Sequence, residues 1–182
     1  MKIILISGKA GHGKDTAAKM IKEELEAKGE RVLTIHFGDP VKWFAREYYN
    51  WDGKKDETGR NLLQYIGTEM MRNYDDKYWG RMISEFIAAN QDFTWAIIPD
   101  WRFYSEKTAL LLENDIIYTI RITRFNGLIP YINPNMTEKQ LKHVSETELD
   151  NTPFDFYLTN DTLENLKNNI HNLVNILTKD KK

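Results

Sequence analysis

The 182-residue sequence has no cysteine. Disulfides, thiolate catalysis and cysteine-held zinc are therefore excluded. An excess of either charge is also lacking: 25 basic residues face 27 acidic ones, for a net charge of -2. That balance argues against a protein that binds nucleic acid through a general basic field. Long apolar runs are absent too. The first, Ile3 to Ile6, ends at the glycines that follow, and it reads as neither a signal-peptide core nor a membrane span. Proline is scarce, and Pro130 and Pro134 fall in the stretch where regular patterning lapses. There is no internal repeat. With 41% apolar and 29% charged residues, the chain can bury a core of its own. The expectation is a single domain over residues 1–182, cytoplasmic, with no membrane or nucleic-acid partner.

Apolar runs alternate with amphipathic stretches. Ile3 to Ile6 is a buried strand, and Ala17, Met20, Ile21 and Leu25 then recur at helical spacing before Gly29. Arg31 to Phe37 reads as a second strand, and Pro40 opens a helix. Residues 50–59 read as a loop. Leu62, Leu63, Ile66 and Met70 make one helical face, and Trp79, Met82, Ile83, Phe86 and Ile87 another. Thr94 to Ile98 is a strand, Glu106 to Glu113 a helix, and Ile116 to Thr123 a strand. Residues 125–150 are irregular, with a capping box at Thr137 and Gln140. Phe154 to Leu158 is the last strand, and Asp161 with Glu164 caps a final helix. Strands separated by helices give parallel βαβ units: an α/β three-layer sandwich with a mainly parallel sheet and helices on both faces. Ligands of such sheets bind at the carboxyl ends of the strands.

Residues 8–16 read Gly-Lys-Ala-Gly-His-Gly-Lys-Asp-Thr, between a strand and a helix. That context makes them a phosphate-binding loop. The glycines let backbone N–H groups converge on phosphate oxygens, and the helix start adds partial positive charge. Gly8, Lys9, Ala10, Gly11, His12, Gly13, Lys14, Asp15 and Thr16 are thus the candidate ATP site, with Lys14 as the mobile cation. The hydroxyl stands two places after the lysine, not one; this resembles the Gly-x-x-Gly-x-Gly-Lys-x-Thr loop of nucleoside monophosphate kinases, which implies Thr16 as the candidate magnesium ligand, directly or through water. Asp15 either favours the helix start electrostatically or touches a magnesium-bound water. The His12 side chain is expected to be exposed, neither ligand nor base. Asp100 ends an apolar strand, as a Walker B carboxylate does. It is a candidate to hold a magnesium-bound water or a substrate hydroxyl, and Arg102 follows on the same edge.

Further segments sharpen the reading. Phe37-Gly-Asp-Pro-Val-Lys42, Arg60-Asn-Leu-Leu-Gln64, Gly67-Thr-Glu-Met-Met-Arg72, Asp100-Trp-Arg102 and His143-Val-Ser-Glu146 accompany the Gly-Lys-Asp-Thr loop. Together they resemble the deoxynucleoside monophosphate kinase family of phages and some bacteria, from Met1 to about residue 175. The loop and the Asp-Pro-x-Lys segment are also similar to phosphomevalonate kinases.

The resemblance implies transfer of the γ-phosphoryl group of ATP, with Mg2+, to a nucleoside monophosphate. It implies a monophosphate-binding helical region at about 40–90 and a lid at about 125–150. Asp39, Lys42, Arg60, Gln64, Glu69, Arg72 and Arg102 become candidates for the monophosphate. Arginine forks match phosphate oxygens and offset the repulsion between two polyanions. Asp39 alternatively caps the helix opened by Pro40. Glu69 and Arg72, three apart on a helix, can pair. Arg121 and Arg124 end the strand leading to the lid, and Arg124, nearer the strand end, is taken as catalytic beside Lys14 and Asp100. His143 and Glu146 lie in the returning lid. Trp43, Trp79 and Trp101 are candidate stacking platforms, though aromaticity alone assigns no role. Close relatives are implied to be homodimers, but nothing in the periodicity marks an interface. The alternatives are a kinase of a small phosphorylated metabolite and a nucleotide-binding switch. The switch reading lacks the guanine-reading Asn-Lys-x-Asp sequence.

Overall fold

The computed structural model describes residues 1–110 and 116–179. Its elements run β1 (Lys2–Ser7), α1 (Lys14–Ala27), β2 (Val32–Thr34), α2 (Gly38–Tyr49) and α3 (Glu57–Gln64), then a π-helical segment, Tyr65–Met70. They continue with α4 (Tyr78–Ala89), β3 (Trp95–Ile98), α5 (Tyr104–Ala109), β4 (Ile116–Asn126) and β5 (Ile129–Pro130). The last are α6 (Glu138–Leu141), α7 (Val144–Thr147), β6 (Phe156–Asn160) and α8 (Leu163–Thr178).

β2, β3, β1, β4 and β6 pair in parallel, in that order. The far end of β4 folds back on β5 as a short antiparallel hairpin. β1 is central, and its residues alternate between two cores. Ile4 and Ile6 pack with Ala17 and Ile21 of α1 and Ile170 and Val174 of α8. Ile3 and Leu5 pack with Ile83 and Ile87 of α4, Trp101 and Leu149. Both faces are covered, which is why β1 reads as an unbroken apolar run. A third, smaller cluster of Val41, Ala45, Trp51, Ile66 and Trp79 holds the helices between β2 and β3 together. No helix among the described residues is long and apolar enough to cross a membrane.

Several boundaries differ from the sequence reading, each for a hydrogen-bonding reason. β2 ends at Thr34: Ile35 N–H still donates to Ile97 O at 3.2 Å, but the backbone donors beyond it turn to side chains. His36 N–H donates to Asp39 Oδ2 at 3.2 Å, and the Phe37 and Gly38 N–H groups donate to the two oxygens of Asp100, each at 2.8 Å. Asp100, two residues beyond β3, therefore satisfies the start of α2, the role that stood as the alternative reading of Asp39. The helical face from Leu62 to Met70 is α3 followed by the π-helical segment. Thr162, not Asp161, caps α8, accepting from Asn165 N–H at 3.1 Å. The helix expected over 106–113 runs from Tyr104 to Ala109, and residues 111–113 lie outside the described residues. The Thr137–Gln140 capping box is present as expected.

Gly59, in the first turn of α3, is enclosed. A Cβ there would lie 2.0 Å from the Lys54 carbonyl oxygen and 2.8 Å from Trp51 Nε1. That carbonyl already accepts from Trp51 Nε1 at 2.9 Å. Gly59→Ala should therefore destabilise the protein despite alanine's gain of up to about 1 kcal/mol in helix propensity, since overpacking costs roughly 1–3 kcal/mol. A thermal melt should show a midpoint lowered by several degrees; an unchanged or raised midpoint would contradict this packing.

Candidate active site

A cavity of about 430 Å³ opens at the carboxyl ends of β1, β2 and β3. The phosphate loop forms one wall, α2, α3 and the π-helical segment another, and the β3–α5 connection with residues 133–146 the rest. Of the residues singled out from the sequence, Ala10, Gly11, Lys14, Asp15, Lys42, Arg60, Gln64, Arg72, Asp100, Arg102 and Glu146 line it. Gly8, Lys9, His12, Gly13, Thr16, Asp39, Glu69, Arg124 and His143 are not among its lining residues.

The loop has its expected strained geometry. Gly11 and Gly13 have φ of 84° and 90°, where a side chain is disfavoured. A Cβ on Gly13 would also meet Asn160 Nδ2 at 2.4 Å, and one on Gly11 the Tyr131 ring at 2.7 Å. Lys14 curls back over the loop and donates to the carbonyls of Gly8 (2.8 Å) and Lys9 (3.1 Å). Burial pushes its ammonium down to about 7, the Arg102 charge adding to the shift and Glu146 opposing it.

Residues 137–150 lie against this wall through specific contacts. Glu146 accepts from Ala10 N–H of the loop at 3.0 Å and from the Arg102 guanidinium at 2.5 Å. Its backbone carbonyl accepts from Lys9 Nζ, which also meets Asp150. His143 bridges Ser145 Oγ and Glu69 Oε1, and Gln140 donates to Asn61 Oδ1 at 2.8 Å.

Arg72 is held differently from expectation. Its partner is Glu106 of α5, 1% exposed, while Glu69 faces His143. The wider π-helical turn before Arg72 breaks the three-residue spacing that would have set Glu69 and Arg72 on one face. The guanidinium lies over the Phe103 ring, 3.8 Å from its centroid. Glu106 also accepts from Arg102 N–H (2.8 Å) and Phe103 N–H (3.0 Å). Burial nevertheless pushes its carboxyl up to about 7, against the pull of Arg72.

The other expected residues fall as follows. Asp100 lines the cavity, but each carboxylate oxygen already accepts one backbone N–H. Thr16 is exposed at the start of α1. Arg124 stacks on Tyr131, 4.6 Å from the ring centroid, whereas Arg121 reaches Ser7 Oγ at 3.1 Å and Asp150 at 2.7 Å. His12 is buried, 3% exposed, not exposed as expected. Trp79 and Trp101 are core residues whose indole N–H groups bond Gly67 O and Phe103 O, and Trp43 is exposed.

Sequence reasoning missed His36, Lys55 and Glu106 in the cavity wall. His36 stands 3.4 Å from Asp15 and 3.3 Å from Asp39. The Asp15 hydrogen bond raises the imidazole above its usual range and lowers the carboxyl. Burial, then the charge on Lys42, lowers Lys55. Position two before the Gly-Asp-Pro segment was a weak signal for His36. No spacing rule pointed to Lys55 or Glu106.

The Glu106 shift has a defined consequence for stability. A carboxyl raised from about 4.5 to about 7 binds more protons folded than unfolded between those values. Its contribution to stability therefore falls as pH rises through that window and is level above it. Urea unfolding at several pH values should show this fall in the wild type and its loss in Glu106→Gln; parallel profiles would contradict it.

No protein-family model matches the sequence, and no curated protein matches it. Solved structures do. The APS kinase of Mycobacterium tuberculosis, in a mutant form, superimposes with a TM-score of 0.53 at 13% identity, over 97% of this chain and 96% of that one. The same kinase in complex with AMPPNP and APS gives 0.53 at 14%, over 97% and 96%. An unliganded sugar kinase from a Janibacter species gives 0.52 at 12%, over 96% and 92%. At these identities the likeness shows the architecture: the chain has the P-loop kinase fold, a mainly parallel sheet with helices on both faces.

Proposed function

We propose that this protein is a P-loop phosphotransferase that moves the γ-phosphoryl group of ATP onto a small anionic acceptor, a (deoxy)nucleoside monophosphate. One observation carries the acceptor side. Among the described residues, the buried side-chain polar atoms without a hydrogen-bond partner are Arg60 Nε and Arg72 Nε, and both arginines line the cavity. Unpaired buried donors ask for an acceptor. Lys55, lowered by burial and by Lys42 and Arg60, adds an undercompensated cation to the same wall. Lys42 is paired with Asp39, Arg102 with Glu146 and Arg72 with Glu106, so the charges left unmatched on this wall are those of Arg60 and Lys55. A phosphomonoester dianion suits the remainder, since guanidinium forks match its oxygens.

On the donor side, the loop N–H groups and Lys14 bind the triphosphate, and Lys14 neutralises charge on the group in transfer. Mg2+ arrives with ATP. The donor set fits this hard ion, which takes few protein oxygens beside phosphate and water. The Thr16 hydroxyl, exposed at the start of α1, would be one ligand, and Asp100 would act through a bound water, because its oxygens already serve backbone N–H groups. Among the described residues no group of three acidic or histidine side chains could hold a metal ion. Residues 125–150, with Glu146 on the loop, act as the lid that keeps water out. Gln64 and Asp39 belong to the acceptor side, and Arg124 to the hairpin above the loop.

The reading is tested by measuring ADP release with ATP, Mg2+ and each of a panel of monophosphates, with an isoprenoid phosphate among them. Turnover should require a nucleoside monophosphate; turnover only with the isoprenoid phosphate, or independent of any acceptor, would reject it. Lys14→Ala should fold normally and lose roughly a few hundredfold in turnover, the size of a lost transition-state electrostatic contact. Arg60→Lys should raise the KM for the monophosphate about tenfold or more, because it keeps the charge but loses the fork, while ATP binding measured directly stays as in the wild type. Unaltered acceptor kinetics in Arg60→Lys would remove that residue from the site.

A further inference from the structure

His12 sits inside the phosphate loop with both ring nitrogens facing backbone carbonyl oxygens. Nδ1 is 3.2 Å from Ile122 O of β4, and Nε2 is 2.9 Å from Tyr131 O just beyond β5. The side chain is 3% exposed. A neutral imidazole has one N–H and one bare nitrogen, so it can donate to only one of these carbonyls; the other contact sets lone pair against lone pair. An imidazolium donates to both. The groups around it withhold that charge. Lys14 of α1 and Arg121 of β4 are cationic; Asn160 of β6, which donates to the His12 carbonyl at 3.0 Å, and the Tyr131 ring are neutral. Burial, with those two cations, lowers the His12 pKa, outweighing both carbonyls.

Bound phosphates change this balance, because they bring negative charge to the loop that contains His12. We infer that His12 is a positioning residue of the donor site that takes up a proton when a nucleotide binds, and so completes its second hydrogen bond. The proton comes from solvent, and no covalent bond is made or broken. The effect is mechanical as well as electrostatic. The imidazolium ties the loop to the segment carrying Tyr131, whose ring lies over Gly11 and under Arg124. Binding charge and closing that segment onto the loop become one event. This rests on the donor-site reading above.

The test uses the whole protein, labelled with 15N in its histidine rings, alone and saturated with Mg2+ and a non-hydrolysable ATP analogue. The chain has four histidines, and the spectrum of His12→Asn assigns the signal. Alone, the two His12 nitrogens should differ near neutral pH, one protonated and one bare. With the analogue they should converge on the doubly protonated position, and the titration midpoint should rise by about one unit or more, the size expected of a nearby charge. His12→Asn keeps one donor but cannot titrate, so the analogue should bind it with a shallower gain in affinity toward low pH than in the wild type. A midpoint unmoved while the analogue binds, followed independently by calorimetry, overturns the inference alone. Absence of binding in the calorimeter overturns the donor-site reading, and the inference with it.

Discussion

The contact on which the site depends is the carboxylate of Glu146. It accepts from Ala10 N–H of the phosphate loop and from the Arg102 guanidinium beyond β3, while its carbonyl receives Lys9. Three separate parts of the chain thus meet at one buried anion. Hydrogen bonds to charged groups are worth roughly 1.5–3 kcal/mol each, enough together to hold a short helix such as α7 against the loop. The same carboxylate favours the charged form of Lys14, which burial and Arg102 disfavour.

Around that anion the cavity is organised by pairing. Asp100 joins the end of β3 to the start of α2 by occupying both of its leading N–H groups. His36 then spans Asp15 on the loop side and Asp39 on the α2 side, so the two walls are coupled through a titratable ring. Glu106 collects the Arg102 and Phe103 N–H groups and the Arg72 guanidinium, which is also stacked on Phe103. A buried charge pair of this kind is poor evidence of stability, because desolvation offsets the attraction. Its clearer effect is to fix the orientation of an arginine on a cavity wall.

Much was legible in the sequence because it depends on local chemistry. The strand–loop–helix over residues 2–27 is set by an apolar run, glycines and amphipathic spacing, and its glycines do adopt left-handed angles. The Thr137 capping box needs only residues three apart. The alternation of buried strands and helices sufficed for the mainly parallel sheet. The segments around Asp39, Arg60, Arg72 and Glu146 did mark one cavity, although Asp39 itself lies outside its lining.

Tertiary structure decided the partners. The residue that satisfies the start of α2 is 62 positions away from Gly38, and no local pattern encodes so distant a donor–acceptor match. Helical spacing paired Glu69 with Arg72, but a π-helical turn and the approach of α5 gave Arg72 to Glu106 and Glu69 to His143. His12 was expected in solvent as a loop residue; the β4–β5 hairpin, folding back over the loop, buries it between two carbonyls. The sequence by itself determined which chemical groups are present and which elements carry them, because propensity and periodicity act over a few residues. Which charge meets which, and which is left unpaired, was decided only when the sheet brought distant segments within hydrogen-bond range.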